Sequence, residues 1–108
     1  LNFNEYQDAA TKTAIYGAGN LIVYPALGLA NEAGEVLGKI KKVLRDKDGV
    51  FTEETNKAIG DEIGDTLWYM AALARDLGLS MNDIATNNIK KLLDRQQRGV
   101  ISGSGDNR

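Results

Sequence analysis

Four carboxylates stand out by type and spacing. Glu32 and Glu35 form one pair, Glu62 and Asp65 another. Each pair is spaced i, i+3, which puts both acids on one helix face about one turn apart. With Glu32 as the zero of a helical wheel, Glu35 falls at about 300° and Lys39 at about 340°. Leu29, Ala33, Val36, Leu37, Ile40, Val43 and Leu44 then fall between about 20° and 140°. With Glu62 as zero, Asp65 falls at about 300° and Tyr69 at about 340°, with Ile59, Ile63, Leu67, Met70 and Ala74 at about 60° to 140°. Both pairs therefore border an apolar stripe instead of lying opposite it. On adjacent antiparallel helices they can face each other across one cleft, where four carboxylates repel strongly unless a cation sits among them. A single E-x-x-E is usually a solvated surface. Two matched pairs, each at the edge of a core stripe, form a more specific pattern.

The missing residue types narrow the chemistry. The chain has no cysteine and no histidine. That excludes a disulfide framework, thiol catalysis, a Ser-His-Asp triad, an imidazole base and any zinc site built on His or thiolate. A redox di-metal bundle built on Glu-x-x-His is disfavoured on the same ground. An all-oxygen donor set suits Mg²⁺, with Mn²⁺ as a substitute. Mg²⁺ in such a place typically binds substrate phosphates and activates water.

The elements that must carry these acids are helices. The chain has 108 residues, with 13 Lys and Arg against 15 Asp and Glu, a net charge of −2. The length fits one domain, 1–108, and the near-neutral balance argues against nucleic-acid binding. The longest apolar stretch, Leu21 to Ala30, is too short to span a bilayer, so a cytoplasmic protein is expected. The chain begins at Leu1 and not at Met, so a missing or processed natural N-terminus is an expectation. Helical periodicity predicts an all-α, four-helix bundle-like domain. The first helix is expected from Asn4 to Tyr16, with Asn4 as cap and Gln7 as its reciprocal partner. The second opens near Pro25 and stops at Asp48-Gly49. The third is capped by Thr52, has Glu53 and Glu54 in its first turn, and ends at Leu77 before Gly78. The fourth runs from Ser80 to about Gln97, with Asp83 in a capping-box-like position. Residues 99–108 form a Gly-rich tail, flexible by default. Gly28, Gly34, Gly38, Gly60 and Gly64 lie inside helices, where each costs about 1 kcal/mol relative to Ala. Close approach of a backbone or ligand, or tight helix packing, would account for them.

The acidic pattern resembles the MazG-type nucleoside triphosphate pyrophosphohydrolases of the all-α NTP pyrophosphatase superfamily. The family signature, E-x-x-E, a spacer and E-x-x-D, reads here as Glu32-Ala-Gly-Glu35, 26 residues, then Glu62-Ile-Gly-Asp65. Leu27 to Val36 is family-like throughout. The run from Asn88 through Lys91 to Arg95 resembles the Asn, Lys and Arg positions of the family's last helix, and the segment after Arg98 is similar to the end of small single-domain members. The resemblance implies Mg²⁺-dependent hydrolysis of a nucleoside triphosphate to the monophosphate and pyrophosphate by metal-activated water at the α-phosphorus, with Glu32, Glu35, Glu62 and Asp65 as catalytic metal ligands. Without histidine, a carboxylate must take the water's proton, and Glu35 and Glu32 both qualify. Lys39, Lys91 and Arg95 are the phosphate-binding candidates, and Lys42 reads as a solvated charge. Asn88 can bond base, sugar or phosphate. Tyr69 can stack on a base, whereas Trp68 reads as core or interface packing. The tail either stays flexible or closes over phosphate through its N–H groups and Arg108.

Leu67, Trp68, Met70, Ala71, Leu73, Ala74 and Leu77 exceed one stripe, so the third helix needs burial on most sides. A homodimer or tetramer is expected. Two readings compete with the one above. One is a sister pyrophosphatase acting on dUTP or phosphoribosyl-ATP. The other is a non-catalytic helical interaction module whose acids are merely solvated.

Overall fold

The computed structural model describes residues 1–108. It is all-α: α1 (Phe3–Thr11), α2 (Val23–Asp46), α3 (Glu53–Asp76) and α4 (Met81–Gln97), with a 3₁₀ turn at Ala18–Asn20.

Local signals place most helix ends. The Asp48-Gly49 stop works because both residues take positive φ, +53° and +73°, which turns the chain by nearly half a revolution and sends α3 back along α2. Thr52 Oγ1 accepts from the Thr55 N–H (3.2 Å) and Thr55 Oγ1 from the Thr52 N–H (2.8 Å), a reciprocal cap. Gly78, at φ +74°, ends α3, and the Leu79 N–H returns to the Ala74 carbonyl at 2.8 Å. Ser80 Oγ accepts from the Asp83 N–H at 3.3 Å. Pro25 falls in the first turn of α2, where no helical hydrogen bond is lost.

The first helix departs from expectation at both ends. Its cap is Asn2, paired reciprocally with Glu5. Asn4 and Gln7 serve instead as long-range ties. Asn4 Oδ1 accepts from Ser80 Oγ (2.8 Å) and from the Asn82 N–H (2.9 Å). Gln7 is buried, donates to the Leu79 carbonyl (3.0 Å) and accepts from the Met81 N–H (3.2 Å). Together they fasten α1 to the α3–α4 turn. The helix also stops at Thr11 and not at Tyr16, because α3 captures its last carbonyls. The Trp68 indole N–H donates to the Ala10 carbonyl (3.1 Å), and Arg75 to that of Thr11 (3.0 Å).

α2 and α3 form an antiparallel hairpin, and α1 lies on α3. The fourth helix joins them through its first turn, where Met81 packs with Ala71, Ala74, Tyr6 and Leu67. Only nine residues are buried. The radius of gyration, 16.8 Å, exceeds the roughly 13 Å of a compact chain this long. The stripe expected to face the core is only partly covered: Leu37 and Leu44 are 67% and 62% exposed, Ile63 54%. An open apolar groove of about 480 Å³ runs along α2 and α3 between Ala33, Val36, Leu37, Ile63, Leu67 and Met70. No helix is long and apolar enough to cross a membrane.

Residues 99–108 fold back on α4 instead of remaining a free tail. The Arg108 guanidinium donates to the carbonyls of Val100 (3.2 Å), Ile101 (3.1 Å) and Gly105, and Arg98 donates to the Arg108 carbonyl. Positive φ at Gly99, Gly103 and Gly105 permits the reversal.

Candidate functional site

Three of the four carboxylates meet. One oxygen each from Glu32, Glu62 and Asp65 lies within 4.8 Å of the others. The α2–α3 hairpin brings them together: Glu32 is on the second turn below Pro25, and the Glu62/Asp65 pair comes up on the opposing helix. Glu35 lies outside this group and is exposed. Desolvation, a hydrogen bond shared with Glu62 and the charges of Asp65, Glu62 and Glu35 raise the Glu32 carboxyl above its ordinary value. A bare cluster of this kind works against its own ionisation. Three acids with no basic partner are a donor set that fits a hard divalent cation.

Tyr69 links the acids to an aromatic cleft. Its ring lies against Gly28, one turn before Glu32. A Cβ at Gly28 would sit 2.1 Å from Tyr69 Cε1, so only glycine admits the ring here. Burial raises the Tyr69 phenol above its ordinary value, and Tyr24, Glu32 and Asp65 add to this. Tyr24 is tilted on Tyr69 with centroids 6.4 Å apart, and Tyr16 stacks on Tyr24 at 5.0 Å. Trp68 meets Tyr69 edge-on at 5.0 Å. With Thr13, Ile15, Gly17 and Asn20 these rings line an open cavity of about 510 Å³, within the range of small-molecule sites. Trp68 is half-buried, and its indole N–H also fixes the 12–22 loop through Thr13 Oγ1 at 2.9 Å. The roles of Tyr16 and Tyr24 are invisible in the sequence, because the first lies in a loop and the second is separated from Tyr69 by 45 residues.

The other helical glycines divide from Gly28. Gly34, Gly38, Gly60 and Gly64 have nothing within 4 Å of an added Cβ, so no close approach within this chain explains them.

The basic candidates separate into two groups. Lys39 lines a cavity of about 240 Å³ at the far end of the hairpin with Lys42 and Lys47. None of the three has a carboxylate within ion-pair distance, and Asp46 in the same cavity pairs with Arg45 instead. Lys42, read as a solvated charge, thus shares a cavity with Lys39. The α4 cations are already engaged. Lys91 Nζ meets Asp106 Oδ1 at 3.1 Å, and the buried Arg95 meets the same oxygen at 3.2 Å and the Asp106 carbonyl at 3.0 Å. These cations hold the Asp106 carboxyl below the usual carboxylate range. Asn88 is exposed on the same helix. Within one chain, Lys91, Arg95 and Arg108 engage the tail and not the α2–α3 cleft.

Residues 25–100 match the family model described as the MazG nucleotide pyrophosphohydrolase domain, a stretch that holds all four acids and the α4 cations. The chain is also 49% identical over 114 aligned positions to the Gene 37 protein of Mycobacterium phage L5, with both chains covered in full. No solved structure matches it. An all-α hairpin that carries E-x-x-E and E-x-x-D across one cleft, in a match spanning α2 through α4, makes this chain a member of the MazG nucleotide pyrophosphohydrolase family.

Proposed function

We propose that the protein, as one domain over residues 1–108, hydrolyses nucleoside triphosphates to the monophosphate and pyrophosphate in the cytoplasm. The observation that carries this reading is the junction at Tyr69: a cluster of three unpaired acids on one side of the ring and an aromatic cleft of about 510 Å³ on the other. A nucleoside triphosphate has that division, a flat apolar base at one end and a polyanion at the other.

Glu32, Glu62 and Asp65 hold the divalent cation, Mg²⁺ or Mn²⁺. When bound, it reverses the local sign of charge for the polyphosphate and acidifies water. Glu35 shares their helix face without joining the cluster, so it has an oxygen left to accept the proton of the attacking water. Of the two carboxylates open as base, this favours Glu35 over Glu32, whose oxygen is one of the three that meet in the cluster. The water oxygen bonds to the α-phosphorus, and the bond from that phosphorus to the pyrophosphate oxygen breaks, in line. Tyr69, Tyr24 and Tyr16 hold the base by stacking. Lys39, one turn beyond Glu35, draws the leaving pyrophosphate.

Asn88, Lys91, Arg95 and Arg108 complete the site from α4 and the tail of a second copy. The protein works as a homodimer or a tetramer. Leu37, Leu44, Ile63 and Met70, left open along the hairpin, are the surface such assembly covers, and the four unpacked glycines allow the copies to approach closely.

Incubation with a panel of canonical and modified nucleotides, with and without Mg²⁺, tests the proposal. Pyrophosphate released only with the divalent cation supports it. Orthophosphate release, or no turnover on any nucleotide, contradicts it. Exclusive action on dUTP or phosphoribosyl-ATP would transfer the protein to a sister activity.

A further inference from the structure

Asp76 is the last residue of α3, and in the sequence it reads only as a helix end. Its side chain is 1% exposed, although nothing in the proposed chemistry uses it. The buried carboxylate gathers donors from two points of one loop far away in the chain, residues 12–22. Oδ2 accepts from the Tyr16 hydroxyl at 2.9 Å and from the Ile22 N–H at 3.0 Å. Oδ1 accepts from Arg75 at 3.2 and 3.4 Å. Burial opposes its charge, yet the Ile22 N–H, Tyr16 and Arg75 together keep the carboxyl below its ordinary value.

That loop needs such an anchor. Residues 12–22 contain one short 3₁₀ turn and no other regular structure. Ile22 has φ +69° and ψ −57°, with the Val23 N–H closing on the Leu21 carbonyl at 2.7 Å. This is a strained three-residue turn, and a β-branched residue rarely accepts it. It persists only where the surroundings over-determine it. Asp76 holds the N–H of that residue. The turn also aims the first helical turn of α2, which presents Tyr24. Arg75 supports Tyr16 from the other side: it donates to the hydroxyl at 3.1 Å and lies 5.9 Å from the ring centroid.

One carboxylate thus fixes two walls of the aromatic cleft, Tyr16 by its hydroxyl and Tyr24 through the turn at Ile22. We propose that Asp76 is a positioning residue for nucleoside recognition: it holds the Tyr16–Tyr24 stack in place as the cleft wall against which the base lies, without touching substrate. This rests on the cleft being the nucleoside side of the site.

The test compares Asp76→Asn with wild type in two binding measurements with Mg²⁺, one for a nucleoside triphosphate turned over by wild type and one for inorganic tripolyphosphate. Asn keeps the size but presents an amide donor where two donors already point. Nucleoside triphosphate affinity should fall about tenfold, with KM rising in step and kcat nearly constant, while tripolyphosphate affinity stays within about twofold. Equal losses for both ligands, or no loss for either, overturn the proposal. Should Asp76→Asn not fold, Tyr16→Phe keeps the ring and removes the one hydroxyl Asp76 holds. It should weaken the nucleoside triphosphate about threefold and leave tripolyphosphate alone, and unchanged binding of both overturns the proposal. A wild type that binds the two ligands equally well refutes the cleft's role itself. That result is distinct from the failure of Asp76 and leaves the acid cluster standing.

Discussion

The α2–α3 hairpin and the α4–tail unit both carry charge on one helix face, and they treat it oppositely. In the hairpin, Glu32, Glu62 and Asp65 converge without a basic partner, and desolvation together with the neighbouring acids raises the Glu32 carboxyl. In the other unit, Lys91 and Arg95 converge on Asp106, supplied by the chain itself. The cationic end is internally compensated, and the acidic end is not. The contrast is why the proposed cation is placed on the hairpin.

The largest effects should come from breaking the acidic end. Asp65→Asn or Glu62→Gln removes an oxygen donor from the cluster and should lower turnover by about a hundredfold or more. Circular dichroism should show the same helix content, since Asp65 is exposed, Glu62 is only half-buried, and both replacements keep the side-chain size. Next is Gly28→Ala. The added methyl would displace the Tyr69 ring, and melting should show a loss of about 1–3 kcal/mol, together with weaker nucleotide binding.

The acid cluster also predicts a pH effect on stability. The Glu32 carboxyl is raised in the folded chain above its ordinary 4.5. The folded state therefore binds that proton more tightly than the unfolded chain, and stability falls as pH rises from about 4.5 through the raised value. Without divalent cations, Glu32→Gln should melt higher than wild type at neutral pH and lose most of this slope. Mg²⁺ should raise the wild-type melting temperature and leave that of Glu62→Gln nearly fixed. Asp76 works with the opposite sign. Its carboxyl is lowered, so its contribution is present above about 3.8 and is lost as pH falls through the folded value.

The smallest effect belongs to the compensated end. Asp106 is 82% exposed, and exposed ion pairs contribute little. Asp106→Asn should leave the melting temperature almost unchanged, while amide hydrogens of residues 99–108 exchange faster because Lys91 and Arg95 no longer share a carboxylate. A large fall in melting temperature would mean that the tail is integral to the fold.

Local chemistry made much of this architecture readable. Thr52, Ser80, Gly78 and the Asp48-Gly49 pair act within a few residues of themselves, so the ends of α2, α3 and α4 follow from sequence. The acidic pairs follow from helical spacing alone. What escaped depends on distant partners. Asn4 and Gln7 look like cap residues, but the α3–α4 turn claims them. α1 ends early because Trp68 and Arg75 take its carbonyls. Glu35 has the same spacing to Glu32 as Asp65 has to Glu62, and only the placement of one helix on the other separates its carboxylate from the three that meet. The tail looks unstructured because the arginine that folds it is its last residue. Asp76 is invisible for the same reason: its partners lie 54 and 60 residues away.

The account turns on the hairpin acids directing water to the α-phosphorus. Phosphorus NMR of a nucleoside triphosphate during turnover with Mg²⁺ tests this most directly. Monophosphate and pyrophosphate should appear in equal amounts with wild type, and neither with Asp65→Asn on the same timescale. Diphosphate with orthophosphate, or wild-type rates from Asp65→Asn, would contradict it.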